Sequence, residues 1–156
     1  MKTNLILVGK TANKHFQAGI SDYAERISHY MPFDIVTIPE LKNTKNLSEE
    51  QQKQAEGELI LKQILSSDTV VLLDEHGKEM RSVEYAQWLS QKQQTVRRLV
   101  FVIGGPYGFS PDVYARANEK ISLSKMTFSH QMVRLIFTEQ LYRACTIIKG
   151  EPYHHE

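Results

Sequence analysis

Apolar residues along this chain fall into two patterns, short unbroken runs and helically spaced stripes, and their alternation outlines a fold. Leu99-Val-Phe-Val-Ile103 is a run of five apolar residues that enters Gly104-Gly-Pro-Tyr-Gly108 without a polar break. A segment apolar on both faces reads as a strand covered on both sides, as at the centre of a parallel sheet. Val70 to Leu73 repeats the pattern and ends in the polar stretch Asp74-Glu-His-Gly-Lys78, which reads as a turn. Two such strands predict a parallel sheet. Asn4 to Val8 reads as a first strand; after a Gly9-Lys10 turn, Phe16, Ile20, Tyr23, Ala24 and Ile27 recur at helical spacing, completing a β-α unit. Pro32 stops that helix, and Pro39 ends a further strand from Phe33 to Ile38.

Ser48, followed three residues later by Gln51, predicts a capping box opening a helix through Ala55, Leu59 and Leu65, with Gly57 unfavourable in its middle. Ser82 reads as the cap of a helix carrying Val83, Ala86 and Leu89. Ser110-Pro111-Asp112 places a cap, a first-turn proline and an acid before Val113 and Ala117. Both read as crossover helices. Ile121 to Met126 is a weak strand or extended loop, and a last helix runs from about Gln131 to Ile148 before Gly150 and Pro152. Its core face of Val133, Ile136, Phe137, Leu141, Ala144, Cys145 and Ile148 is widened by Leu135 and Tyr142. Such width suits a subunit interface or a helix deeply buried within one subunit. The expectation is a single α/β domain over residues 1–156, a mostly parallel sheet flanked by helices.

Composition adds exclusions. At 41% hydrophobic and 24% charged the chain is ordinary for a soluble protein, and no apolar stretch is long enough to cross a bilayer. The opening Met1 to Gly9 lacks the cleavage pattern of an export signal, and the lone Cys145 excludes an intramolecular disulfide, so a cytoplasmic location is expected. A net charge of +1 gives no global field to attract nucleic acid. An RNA partner must then be met through a local patch, by an oligomer, or on a preassembled particle. The six histidines are scattered with no zinc-ligand spacing, so no metal site is expected, and no G-x-S-x-G elbow occurs. The glycine turn matches neither the dinucleotide fingerprint nor a P-loop.

Candidate chemistry concentrates at three places. Gly104, Gly105 and Gly108 let the backbone approach a ligand, and open α/β sheets bind ligands beyond this end of their strands. In a parallel sheet that turn is expected to meet the segment after Leu73 and the polar run Ser122 to Ser129. His130 and Arg134, four apart, read either as a surface pair solvating a helix start or as groups that, with the helix end, favour an anion or developing negative charge. In the tail Glu151-Pro-Tyr-His-His-Glu156, which has no packing pattern, Tyr153 can stack on a base and His154 can contact phosphate or move a proton; the alternative is a disordered tail.

Taken together, Val102-Ile-Gly-Gly-Pro-Tyr-Gly-Phe-Ser110, Ser122-Leu-Ser-Lys-Met-Thr-Phe-Ser-His-Gln-Met-Val-Arg134, Glu139-Gln-Leu-Tyr-Arg143 and Pro152-Tyr-His-His155 resemble the bacterial ribosomal RNA large subunit methyltransferase H family of the SPOUT superfamily. The resemblance covers essentially the whole chain. It implies methyl transfer from S-adenosylmethionine to N3 of a pseudouridine in a large-subunit (23S) rRNA stem-loop, by a homodimer acting on assembled ribosomes. It also implies a C-terminal trefoil knot, which general connection rules weigh against. It places Leu73, Gly105, Ser124, Lys125, Met126, Thr127, Phe128 and Ser129 at the cofactor, and His130, Arg134, Tyr153 and His154 near the acceptor. Ser129 stands where many members have proline. Such chemistry needs alignment of donor and acceptor, loss of the N3 proton and stabilisation of the resulting charge, but no metal. The rivals are a related enzyme acting on another RNA, such as tRNA, and a non-catalytic ribosome-associated module.

Overall fold

The computed structural model describes residues 1–156 and lays five strands into one all-parallel sheet. The strands are β1 (Lys2–Val8), β2 (Phe33–Ile38), β3 (Thr69–Glu79), β4 (Arg98–Ile103) and β5 (Glu119–Ser122), in the spatial order β2-β1-β4-β3-β5. The helices are α1 (Lys14–Ser28), α2 (Glu49–Lys62), α3 (Ser82–Thr95), α4 (Pro111–Arg116) and α5 (Met132–Lys149). The central position of β4 explains its unbroken apolar run, because both of its faces are covered. Leu99, Phe101 and Ile103 join the layer containing Ile27, Leu89, Phe137 and Leu141 from α1, α3 and α5, while Val100 and Val102 join Ile60 and Val113 from α2 and α4.

Local signals act as read at several helix ends. Ser48 Oγ accepts the Gln51 N–H at 3.1 Å while Gln51 Oε1 accepts the Ser48 N–H at 2.9 Å, closing the expected capping box. Ser110 Oγ accepts the Val113 N–H at 3.3 Å and caps α4. Gly57 in α2 is explained by packing: a β-carbon there would collide with Ser110 Oγ, so glycine lets α2 lie close against α4.

Four readings need correction. Helix α2 stops at Lys62, leaving Leu65 outside it and 57% exposed. Helix α3 is capped at Arg81 rather than Ser82, with Glu84 Oε1 accepting the Arg81 N–H at 2.8 Å. The strand after α4 starts earlier than Ile121, running from Glu119 to Ser122, and the rest of the segment to Met126 is the extended loop that was the alternative to a weak strand. Asp74 to Lys78 is not a turn: β3 continues to Glu79, and Leu73 and Lys78 both pair with Ile121, so the polar residues between them form a bulge. Bulges and turns share a composition of glycine and short polar residues, so local sequence does not separate the two. Gly77 is needed there, since a β-carbon would stand 2.6 Å from the Ile121 backbone.

Part of the apolar surface on α5 is covered within the chain, while Val133, Ile136 and Ile148 stay half-buried. Leu135 packs so closely on α1 that a β-carbon at Gly19 would meet its Cδ1 at 2.7 Å, and Tyr142 lies against the rings of Tyr23 and Tyr30.

Candidate active site

Parallel strands all present their C-terminal ends to one edge of the sheet, and here the segments following β3, β4 and β5 enclose a cavity of about 700 Å³. Leu73 and Ile103 form part of its floor, the turn 104–108 one wall, and Ser124, Met126, Thr127, Phe128, Ser129 and His130 the opposite wall. Its volume falls in the range of small-molecule sites. Lys125, expected at the same place, does not line the cavity; its side chain is 87% exposed and its ammonium lies 4.0 Å from Glu79.

The glycine turn owes its composition to the protein behind it as much as to the cavity in front. A β-carbon at Gly105 would lie 2.7 Å from Glu56 Oε1, and one at Gly104 would lie 3.0 Å from the Phe109 ring. Gly108 has φ +84°, a conformation that favours glycine. Glu56 is only 5% exposed and its Oε1 has no hydrogen-bond partner. Burial raises its carboxyl above the usual range, with Gln52 partly opposing the shift.

Asp74, read only as part of a turn, supplies the cavity with a carboxylate. Burial alone would raise its pKa, but the Tyr114 hydroxyl at 2.5 Å and the His76 N–H at 2.9 Å hold it below the ordinary value. The wall therefore carries a negative charge able to face a cationic ligand. Sequence reasoning missed this pair because Asp74 and Tyr114 are forty positions apart and on different elements. It also missed Lys53, which α2 contributes to the same cavity.

His130 is exposed at the cavity rim, in the turn that precedes α5. Ser129 fastens that turn, its Oγ accepting the Met132 N–H at 3.0 Å and its carbonyl accepting the Val133 N–H at 3.0 Å. Arg134 does not share the surface with His130. It is 0% exposed, and its guanidinium donates to the carbonyls of Val8 at 2.7 Å and Gly9 at 2.9 Å and to Thr11 Oγ1 at 2.9 Å. The expected anion-facing arginine is thus a clamp between the start of α5 and the loop after β1. Gln131 reinforces it, accepting the Ala12 N–H at 2.8 Å and donating to the Lys10 carbonyl at 3.3 Å.

The tail is ordered against the far part of α5, unlike the packing-free segment its sequence suggested. Glu139 Oε1 accepts from Arg143 Nη2 at 2.7 Å and from the Tyr153 hydroxyl at 3.0 Å. The Arg143 guanidinium lies 4.8 Å from the Tyr153 ring centroid, and its Nη1 stands 3.1 Å from His154 Nδ1. Arginine only donates, so His154 Nδ1 is the acceptor and the proton of the neutral ring resides on Nε2. Burial first, then hydrogen bonding with Tyr23 and Glu139, raises the Tyr153 phenol far above its usual value and keeps it a donor. The Glu139/Arg143 spacing of four was the available sequence signal for this cluster.

Val133 lines the cavity and Arg143 holds His154, so the two groups of candidate residues are separated along α5 by about 15 Å at 1.5 Å per residue. The structure brings Leu73, Gly105, Ser124, Met126, Thr127, Phe128, Ser129 and His130 together, and sets Tyr153 and His154 apart from them. No cluster of histidine, cysteine or carboxylate side chains is arranged to hold a metal ion, and no helix is long and apolar enough to cross a membrane.

A parallel α/β sheet whose strand-end loops form one ligand cavity accords with what comparison with known proteins finds. Residues 1–154 match the family model described as "Predicted SPOUT methyltransferase", and the chain belongs to that family. At closer range it is 66% identical, over the full length of both chains, to a Phocaeicola vulgatus protein named ribosomal RNA large subunit methyltransferase H. Proteins of the same name from Bacteroides fragilis and Christiangramia forsetii are 64% and 58% identical, over 100% and 99% of each chain.

Proposed function

We propose that this protein is a cytoplasmic rRNA methyltransferase that uses S-adenosylmethionine to methylate N3 of a pseudouridine in the large-subunit rRNA, acting as a homodimer on the assembled ribosome. The observation that carries this reading is the convergence of the segments after β3, β4 and β5 on one cavity with an ionised carboxylate, in a chain of this family. Bound there, S-adenosylmethionine supplies a methyl group already activated on a sulfonium. Leu73, the Gly105 turn and the wall from Ser124 to Ser129 hold the adenosyl portion, and Asp74 offers its charge to the cationic portion. Lys125 serves at the rim rather than in the cradle. In this reading the C-terminal part is threaded into a trefoil knot, which fastens these loops against one another.

The roughly 15 Å between the cavity and the tail cluster is too far for both to serve one acceptor atom within a single chain. Two copies resolve this, with the tail of one protomer reaching the cavity of its partner. The His154 Nε2–H then acts as a donor that stabilises charge developing on the base, while Tyr153, its one hydroxyl proton given to Glu139, packs its ring on Arg143 and holds that guanidinium behind His154. His154 Nδ1 is occupied by Arg143, so His130, exposed at the rim with no hydrogen-bond partner in the chain, is placed to take the N3 proton. Arg134 serves as a positioning group that fixes the start of α5 beneath His130.

The test is incubation of the protein and S-adenosylmethionine with ribosomes from cells lacking it, followed by mass spectrometry of rRNA fragments. One added methyl on a pseudouridine-containing fragment is expected, and none on tRNA. Unmodified ribosomes overturn the reading. Removing residues 151–156 is expected to leave binding of S-adenosylmethionine within about twofold by calorimetry while abolishing transfer; retained turnover removes the tail from the site.

A further inference from the structure

The cavity at the strand ends carries charges of both signs. Asp74 and Glu75 bring carboxylates to its wall, and Lys53 is the one lysine or arginine side chain among its lining residues. Lys53 stands half-buried in the second turn of α2. Glu49, Glu50 and Glu56 lie within about one turn of it on the same helix, yet its ammonium pairs with none of them, and Glu56 Oε1 is left without a partner. A cation drawn partly out of water and left unpaired is costly. A lysine kept in that position, on the wall of a ligand cavity, points to an anionic group on the ligand.

The packing of α2 on α4 puts this cation on the same side of the cavity as Asp74. Ile60 of α2 and Val113 of α4 belong to one apolar layer, on the face of the sheet opposite α5. Gln54, the neighbour of Lys53, donates from Nε2 to Asp112 of α4 at 2.9 Å, and Tyr114 of α4 donates its hydroxyl to Asp74. The α2/α4 side of the cavity therefore holds an ammonium and a carboxylate, while Val133 lines it from the α5 side. S-adenosylmethionine carries a sulfonium, an ammonium and a carboxylate, two positive groups and one negative. The lining has the reverse set, with two carboxylates from Asp74 and Glu75 and one ammonium from Lys53. A phosphate of RNA, bringing negative charge alone, would meet those carboxylates without a cation of its own to satisfy them.

We infer that Lys53 receives the carboxylate of the amino-acid end of the methyl donor, and so selects a donor bearing that carboxylate over one bearing cations alone. This rests on the proposed S-adenosylmethionine reading and deepens it by assigning the negative group of the donor, which Asp74 cannot serve. Because the interaction is one of charge, it survives in Lys53→Arg, is lost in Lys53→Ala and is reversed in Lys53→Glu.

The experiment measures by calorimetry the affinities of the wild type, Lys53→Ala, Lys53→Arg and Lys53→Glu for two ligands, S-adenosylmethionine and decarboxylated S-adenosylmethionine, which lacks only the carboxylate. Loss of one charge contact at a partly wet site predicts that Lys53→Ala binds S-adenosylmethionine roughly five- to tenfold more weakly, while its affinity for the decarboxylated ligand is unchanged or improved. Lys53→Arg stays near the wild type with both ligands, and Lys53→Glu prefers the decarboxylated one. An unchanged affinity of Lys53→Ala for S-adenosylmethionine overturns the assignment. So does an equal loss for both ligands, which would give Lys53 a role in the fold or at the adenosyl portion. Unchanged donor affinity with a raised KM for ribosomes would also overturn it and move Lys53 to an RNA phosphate. A wild type that binds S-adenosylmethionine while Lys53→Ala matches it sinks the Lys53 assignment alone, whereas a wild type that binds none sinks the functional reading and the assignment with it.

Discussion

Replacing Arg134 with alanine separates two roles that the sequence alone leaves entangled, service to a substrate and service to the fold. In the structure its guanidinium is fully buried and satisfies the carbonyls of Val8 and Gly9 as well as Thr11 Oγ1. Removing it orphans two carbonyls on residues that are themselves buried, at roughly 1–3 kcal/mol each, or about 2–6 kcal/mol together. Relief from holding a desolvated charge offsets part of this and favours the lower end. For a chain of this size 1 kcal/mol moves the thermal midpoint by about 2–4 °C, so Arg134→Ala should melt roughly 5–20 °C below the wild type. Lysine, with one ammonium in place of a planar fork, should fall between the two. Thermal unfolding followed by circular dichroism, alongside methyl transfer measured well below the lowered midpoint, makes the test. A variant that melts with the wild type yet transfers no methyl would refute the clamp and return Arg134 to the acceptor.

Gly57→Ala should lower stability by about 1–3 kcal/mol even though alanine is the better helix former, because the new methyl meets Ser110 Oγ; thermal unfolding reads it, and Ser110→Gly in the same chain should recover part of the loss. Glu56→Gln should raise the denaturation midpoint at pH 7. Burial raises the folded-state pKa of Glu56 above the unfolded value of 4.5, so ionisation costs stability as pH climbs above that value; the gain from Gln should fade toward pH 4.5 in urea titrations. Asp74→Asn should weaken S-adenosylmethionine binding about tenfold by calorimetry, the scale of one lost charge contact at a partly wet site.

How far the sequence revealed the molecule depended on whether the decisive interaction was local. The apolar run from Leu99 to Ile103 announced a central strand, and Ser48 with Gln51 announced a helix start, because period and capping are encoded within a few residues. The bulge in β3 was hidden because its polar residues have turn composition, and only pairing with Ile121 shows that the strand resumes. The cavity walls followed from the rule that ligands gather beyond parallel strand ends, so Gly105 and the segment 124–129 were legible. Arg134 and Glu56 were not, since the burial of a charge is set by elements far away in sequence. The order of the tail is illegible for the same reason: Tyr153 and His154 have no periodicity of their own and are held by Glu139 and Arg143.

The cavity is assembled from segments near residues 73, 105 and 124–129, two of them in the final third of the chain, and its shape depends on β3 standing between β4 and β5. During synthesis no nascent chain ending before residue 129 contains that enclosure, so in the proposed reading affinity for the methyl donor arises late and all at once. Ligand retention is thereby a readout of the completed sheet, and a polypeptide cut short before β5 should be inert toward the donor even with its glycine turn intact.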